Sequence, residues 1–598
     1  MTATYLSSSG GRLGSALGTL ACRADRLLLL LAAALAMSFA SSSSQAVLAA
    51  DTPREKPRLV VIVSVDQLCY EYLERFSANF ADDGFFRRAA KEGAWYSECH
   101  HRHAFTVTAP GHSVMMTGAY PGTSGIIDNT WYDRPNSKTQ YCVEDSLYPI
   151  VGAAVGKAEL KGVSPRNLLV PTLGDVLKQK SNGKAKVFGV TLKDRAAVLM
   201  TGRLADAAYW FDPTSGNWVT STYYRDRLPG YLEQANNSDL AECYAGERWT
   251  LRYSREKYRL NHPDDAPFEG DYEKIGRDFP HELLNETNAQ YYKQILCTPF
   301  GNEMTMRVAE AILVNEKLGQ DDVTDVFAVG LSSNDYVGHN FGPHSLEVED
   351  MTYRTDELLG KFLKTLDRVV GPGRWVLALT ADHAVAPIPE YSATLGRSAK
   401  RNPIGELKVA QTALEAKMVD KFGPLPEGKF HIERLDAHAA YLSIAKKAGA
   451  KAEYSAQQKF LRDQMLALPG ISIAITRDEL LADDTAPLQP KESDASLIGA
   501  GLRPLEQFRL SFNAERSGDV LYALRPYCIH GTTPATHGSP WRYDSNVPLL
   551  FLGAGIKQLR STESVAPSQI APTFAKLLKV DPPSECVEKS LDEVLSND

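Results

Sequence analysis

The chain has 598 residues, 43% of them hydrophobic and 23% charged, with a formal net charge of -8. This is globular composition with material for a large core. The acidic balance and the lack of a long basic run exclude nucleic acid as a bulk electrostatic partner.

Residues 1–50 differ from the rest. Arg12, Arg23 and Arg26 precede the apolar run Leu27 to Ala36, and small residues follow up to Ala49 and Ala50. This order reads as a secretory signal peptide cleaved near Ala49 or Ala50. The run is short for a membrane anchor. The expectation is a periplasmic or secreted protein with no stable membrane span after cleavage. Cleavage removes three Arg and one Asp and takes the net charge from -8 to -10. Seven cysteines follow the leader, and their wide spacing argues against a Cys-rich zinc module.

Arg58 to Val65 is a β-branched run ending at Asp66, which reads as a buried parallel strand with a carboxylate at its end. Next comes Thr108-Ala-Pro-Gly-His112, with an apolar run behind it. Pro two residues after a hydroxyl marks a helix start. Thr108 reads either as the N-cap or as a hydroxyl placed where helix N–H groups can hold a phosphate. Lys186 to Thr191 is a second strand, followed by Lys193 and Arg195. Val326 to Leu331 is a third, followed by Asp335 and His339. Trp375 to Thr380 is a fourth, followed by Asp382 and His383. Val547 to Leu552 is a fifth, shortly after His537. Helical patterns lie between them at Met304 to Lys317, Glu347 to Val370 and Ile570 to Leu578.

Alternating strands and helices predict an α/β fold with a largely parallel central sheet flanked by helices. Ligands in such folds bind beyond the C-terminal strand ends, where all these groups except His537 fall. The catalytic core is expected in three parts, at 58–204, 301–390 and 530–598. Residues 205–300 and 391–529 interrupt the alternation and read as insertions flanking the site.

Asp66, Asp335, His339, Asp382, His383 and His537 are candidate metal ligands. Asp335 and His339 are four apart, which puts both on one side of a helical turn. Such a set can feed two metals about 4 Å apart, a clamp for in-line phosphoryl displacement. Cys99, His100, His101 and His103 look like a further cluster, and Cys297-Thr-Pro299 like the start of a sulfatase motif, but Gly301 stands where that motif needs Arg.

The joint order of these strings resembles the alkaline phosphatase superfamily, in particular PafA-type bacterial alkaline phosphatases, with nucleotide pyrophosphatase/phosphodiesterases next. The shared strings are Thr108-Ala-Pro-Gly-His112, Thr117-Gly118, Gly125-Ile-Ile-Asp-Asn129 and Asp335-Tyr-Val-Gly-His339-Asn-Phe-Gly-Pro343. Asp382-His383 and His537-Gly538 complete them. The resemblance implies two Zn2+ per chain, one held by Asp335, His339 and His537, the other by Asp66, Asp382 and His383 with the Thr108 oxygen. It implies that Thr108 is the nucleophile of a phosphothreonine mechanism, and that Asn129, Lys193 and Arg195 bind the phosphoryl oxygens. An Arg fork suits a monoester dianion, which has one more charged oxygen than a diester. The expected activity is hydrolysis of small phosphate monoesters by a monomer. The alternatives are a phosphodiesterase with the same metals and a non-catalytic phosphate-binding protein that keeps only the fold.

Overall fold

The computed structural model describes residues 56–153, 161–259, 261–443, 450–482, 497–499, 501 and 503–596. The leader pattern of residues 1–50 lies outside them. Among the described residues no helix is long and apolar enough to cross a membrane.

A ten-stranded sheet organises the core. Its order is Leu559–Ser561, Ala94–His100, Asn546–Gly553, Trp375–Thr380, Leu59–Val65, Asp325–Leu331, Val187–Thr191, Ala207–Asp212, Asn217–Ser221 and Ile150–Val151. The five strands from Trp375–Thr380 to Ala207–Asp212 run parallel. All seven residues of the middle strand Leu59–Val65 are buried, as a β-branched run covered on both faces requires. Along Ala207–Asp212 the pleat sends alternate side chains to opposite faces. Ala207, Tyr209 and Phe211 join one hydrophobic cluster, and Ala208 and Trp210 join another.

Two findings differ from the sequence expectation. Ala207–Asp212 and Asn217–Ser221, at the start of the stretch read as an insertion, extend the central sheet. The strand Asn546–Gly553 runs antiparallel to Trp375–Thr380, with Leu550 opposite Leu379 and Gly553 opposite Val376. Its first residue therefore lies at the edge where the parallel strands end. This is why His537, ahead of its strand, stands on the same side as groups that follow theirs.

Within 391–529 a separate antiparallel sheet forms, ordered Ile432–Leu435, Ala439–Leu442, Val520–Leu524 and Ile471–Thr476. With the helices Leu407–Phe422 and Ala450–Leu466 it builds its own hydrophobic cluster around Met418, Leu461 and Tyr522.

Candidate active site

The strand ends deliver the acidic and imidazole groups to one place. Asp66 follows Leu59–Val65 directly, and Asp382 and His383 come just after Trp375–Thr380. The helix Ser333–Phe341, just past Asp325–Leu331, carries Asp335 and His339 one turn apart. His339 Nε2 is 3.2 Å from Asp335 Oδ1, and His537 Nε2 is 3.7 Å from the same oxygen. His383 Nε2 lies 3.3 Å from Asp382 Oδ2, 3.6 Å from Asp66 Oδ1 and 3.4 Å from Thr108 Oγ1. All six predicted ligands and the Thr108 hydroxyl thus meet.

Each of the three imidazoles is oriented by a carbonyl. Nδ1 bonds the carbonyl of Ala535 in His339 (2.7 Å), Ala384 in His383 (3.0 Å) and Thr106 in His537 (2.8 Å). A carbonyl only accepts, so Nδ1 carries the proton in each; in His383 and His537 Nε2 turns a lone pair to the site, whereas at His339 burial is outweighed by Asp335, which raises that ring above the ordinary histidine range. Burial pushes His383 down to about 4 and holds His537 well below the ordinary histidine range, so both rings are neutral near neutral pH. Asp66 Oδ1 and Asp382 Oδ2 are buried and lack hydrogen-bond partners. Asp66, Asp335 and Asp382 are all buried, with the Lys193 ammonium between the first two. An unneutralised buried ion costs several kcal/mol. Lone pairs of nitrogen and orphaned carboxylate oxygens together fit divalent cations.

Among the described residues, two groups can hold metal. Ligand atoms of Asp335, His383 and His537 lie within 4.8 Å of one another, and so do those of Asp66, His112 and Asp382. This grouping by distance differs from the split expected from sequence, which put His383 with Asp66 and Asp382 and left His112 out. His112 is a supporting residue. Its Nδ1 is 2.9 Å from the Thr108 carbonyl and 3.2 Å from Asp382 Oδ2, and its Nε2 meets Ser64 Oγ at 3.0 Å. Both ring nitrogens are engaged.

Lys193 lies among the carboxylates. Its Nζ is 2.6 Å from Asp66 Oδ2 and 2.5 Å from Asp335 Oδ2, so it ties the two acidic groups together. Burial works against its charge, but Asp335 and Asp66 hold the ammonium above its ordinary range. The same two carboxylates differ from each other. Burial and the Asp382 charge raise Asp66 well above the carboxylate range, whereas His339 and Lys193 overcome the burial of Asp335 and hold it well below. Gln67, which nothing in the sequence marks out, bridges the same region. Its backbone N–H donates to Asp382 Oδ1 at 3.2 Å and its Nε2 to Asp335 Oδ1 at 2.6 Å. It does so from a left-handed backbone, φ 67°.

Thr108 is the first residue of the helix Thr108–Thr117, with Val107 in the cap position and unable to cap the helix through its side chain. The N-cap reading of Thr108 therefore fails, and its hydroxyl is left to the site. Asn129 takes the vacant task, its Oδ1 accepting from Ala109 N–H at 2.8 Å. This bond fixes the amide and leaves the Nδ2 donors facing away from the helix. Gly111 lets the helix lie against the segment that follows Trp375–Thr380: a Cβ there would meet the Asp382 carbonyl oxygen at 2.0 Å.

Arg195 Nη2 reaches within 3.5 Å of Thr108 Oγ1, and its Nη1 is 3.3 Å from Tyr141 Oη. Tyr141 donates in turn to Asp194 Oδ1 at 2.6 Å. Burial opposes the Arg195 charge, but Tyr141 and Asp194 keep the guanidinium protonated.

Among the described residues, the candidate metal groups do not include the Cys99–His103 cluster. His101 Nε2 bonds the carbonyl of Ala381, steadying the residue before Asp382, and His100 Nδ1 meets Ser545 Oγ. Cys297 is a buried residue at the end of the helix Ala289–Leu296.

A model of the type I phosphodiesterase / nucleotide pyrophosphatase family matches residues 60–468. The chain belongs to that family. It is 33% identical over 543 residues to the alkaline phosphatase PhoV of Synechococcus elongatus, spanning 90% of this chain and 93% of that one. It is 33% identical over 547 residues to the alkaline phosphatase PafA of Elizabethkingia meningoseptica, spanning 90% and 95%. The crystal structure of wild-type PafA superposes with a TM-score of 0.80 at 32% identity, covering 90% of this chain and 99% of that one. Within the phosphodiesterase / nucleotide pyrophosphatase family, then, the chain is an enzyme of the alkaline phosphatase type. The superfamily and α/β fold expected from its strings are the ones observed.

Proposed function

We propose that the chain is a zinc-dependent phosphate monoester hydrolase acting through a phosphothreonine at Thr108. The observation that carries this reading is the approach of the Arg195 fork to the Thr108 hydroxyl. A guanidinium 3.5 Å from the attacking oxygen can meet the extra charged oxygen of a monoester. The alkaline phosphatases PhoV and PafA, similar over most of the chain, support it.

Asp335, His339 and His537 would hold one Zn2+, and Asp66, Asp382 and His383 the other; such ions lower the pKa of a hydroxyl and stabilise charge on a departing oxygen. The protein residues do the rest. The Thr108 oxygen, giving up its proton to solvent, bonds to phosphorus as the ester P–O bond breaks; the electron pair leaves on the alcohol oxygen, which takes up a proton from solvent. Asn129 Nδ2 and the Arg195 fork hold the non-bridging oxygens at the N-terminus of the helix Thr108–Thr117, whose free amides favour an anion. Lys193 holds Asp66 and Asp335 at a fixed spacing. Water then attacks the phosphothreonine, releasing phosphate and restoring the hydroxyl. The stretches 205–300 and 391–529 are read as the parts that select the alcohol group. From the leader pattern we assign the chain to the periplasm or the exterior, as a monomer.

The family match favours one other reading, phosphodiester hydrolysis. Metal content measured with the rates for p-nitrophenyl phosphate and bis-p-nitrophenyl phosphate on one preparation separates the two. Two zinc per chain and faster monoester turnover are expected. Faster diester turnover overturns the monoesterase reading.

A further inference from the structure

The backbone of His438 is tied to the inserted sheet, its carbonyl accepting from Tyr522 N–H at 2.9 Å, yet its ring reaches the core. It lies in the turn between Ile432–Leu435 and Ala439–Leu442. Its Nδ1 meets Asp128 Oδ2 at 2.7 Å. The other oxygen of that carboxylate, Oδ1, accepts the Asn129 backbone N–H at 2.6 Å. Asn129 is thus held at three points: its N–H by Asp128, its carbonyl by the Cys142 N–H at 3.0 Å and its side-chain oxygen by Ala109. The His438 ring lies flat on Phe105, with centroids 4.6 Å apart and planes 15° apart. On its far side, Nε2 lies so close to Gly538 that a Cβ there would stand 2.8 Å from it. Gly538 also has φ 114°, a region that favours glycine. One imidazole from the insertion therefore wedges between the approach to Thr108 and the residue after His537.

We infer that His438 is a positioning residue for Asn129: the insertion 391–529 orients the phosphate clamp through the chain His438–Asp128–Asn129. This rests on the reading of Asn129 as a phosphoryl donor. An amide that binds a transition state must be fixed before the substrate arrives. The bond from Ala109 fixes the amide oxygen and the Cys142 N–H holds the Asn129 carbonyl at 3.0 Å, which leaves the N–H side of Asn129 as the remaining freedom. The Asp128 carboxylate removes that freedom only while it is itself held, and His438 holds it. The insertion is then a working part of the phosphate site, beyond any role in choosing the alcohol.

The test is a double-mutant cycle on the full zinc-loaded chain, with kcat/KM for p-nitrophenyl phosphate as the readout. His438→Phe keeps a ring to stack on Phe105 but removes the donor. His438→Asn restores a donor near the Nδ1 position. His438→Phe is expected to lose about tenfold, His438→Asn to stay within about twofold of the wild type, and His438→Phe to add no further loss on an Asn129→Ala background. Asp128→Asn approaches the chain from the other side and is expected to give the same loss and the same non-additivity. Equal losses with and without Asn129, or full activity in His438→Phe, overturn the inference. Failure of the underlying reading looks different: Asn129→Ala by itself would leave turnover unchanged.

Discussion

His383 and His537 lie ring on ring, with centroids 3.4 Å apart and planes 14° apart. One follows a parallel strand and the other precedes an antiparallel one, so the stack joins two parts of the chain far apart in sequence. The two expected zinc sites accordingly share a wall. His537→Ala should lower bound zinc by about one equivalent and loosen the second, because the ring that packs His383 goes with it. Metal analysis of the purified variant beside its circular dichroism checks this. Two fully occupied sites would remove His537 from the ligand set.

Thr108→Ala should remove nearly all turnover with zinc content unchanged, since the six ligands remain. Monoester assays and metal analysis on one sample decide it. Retained activity would mean another nucleophile.

Arg195→Ala should lower monoester kcat/KM by about 10²–10³ and affect a diester far less, because the fork engages the extra charged oxygen. Paired assays read the difference. Equal losses would contradict that role.

Gly111→Ala forces a methyl group into the Asp382 carbonyl, where a Cβ would stand at 2.0 Å. The helix carrying Thr108 must shift or the strand end must yield, a strain of about 1–3 kcal/mol. A lower melting temperature and reduced turnover are expected together. An unchanged melting temperature would mean the helix can move freely.

Asp544 gives a pH dependence. It is buried, its Oδ2 accepts from Ser539 N–H at 3.0 Å, and its Oδ1 has no partner. Burial pushes its pKa up to about 8 against the pull of the Ser539 donors. The folded chain therefore keeps a proton that the unfolded chain gives up near pH 4. Its contribution to stability is complete below about pH 4 and is lost as pH rises towards 8. Asp544→Asn should flatten the fall in melting temperature across that range. Parallel slopes for wild type and variant would rule this out.

The sheet core was legible because a β-branched run such as Val60–Val65 has one physical use, a strand buried on both faces. Asp66, Asp335, Asp382 and the three histidines stood out because each sits beside such a run. What stayed hidden depends on chain segments meeting. Strand direction is not written in composition, so the route of His537 into the site needed the antiparallel register. Gln67, Tyr141 and His438 are ordinary polar residues until folding sets them beside Asp335, Arg195 and Asp128. Thr108 read as a cap because sequence shows the helix start only to within a residue or so.

The antiparallel strand Asn546–Gly553 also governs timing. During synthesis the parallel strands can pair, and most of the acidic groups can gather, long before this strand emerges. Until it docks beside Trp375–Thr380, the loop bearing His537 has no frame, and the cluster lacks one wall. A chain that stops short of it would lack both the strand that joins Trp375–Thr380 to Ala94–His100 and the frame for His537, so the last wall of the site and the closure of the sheet arrive together.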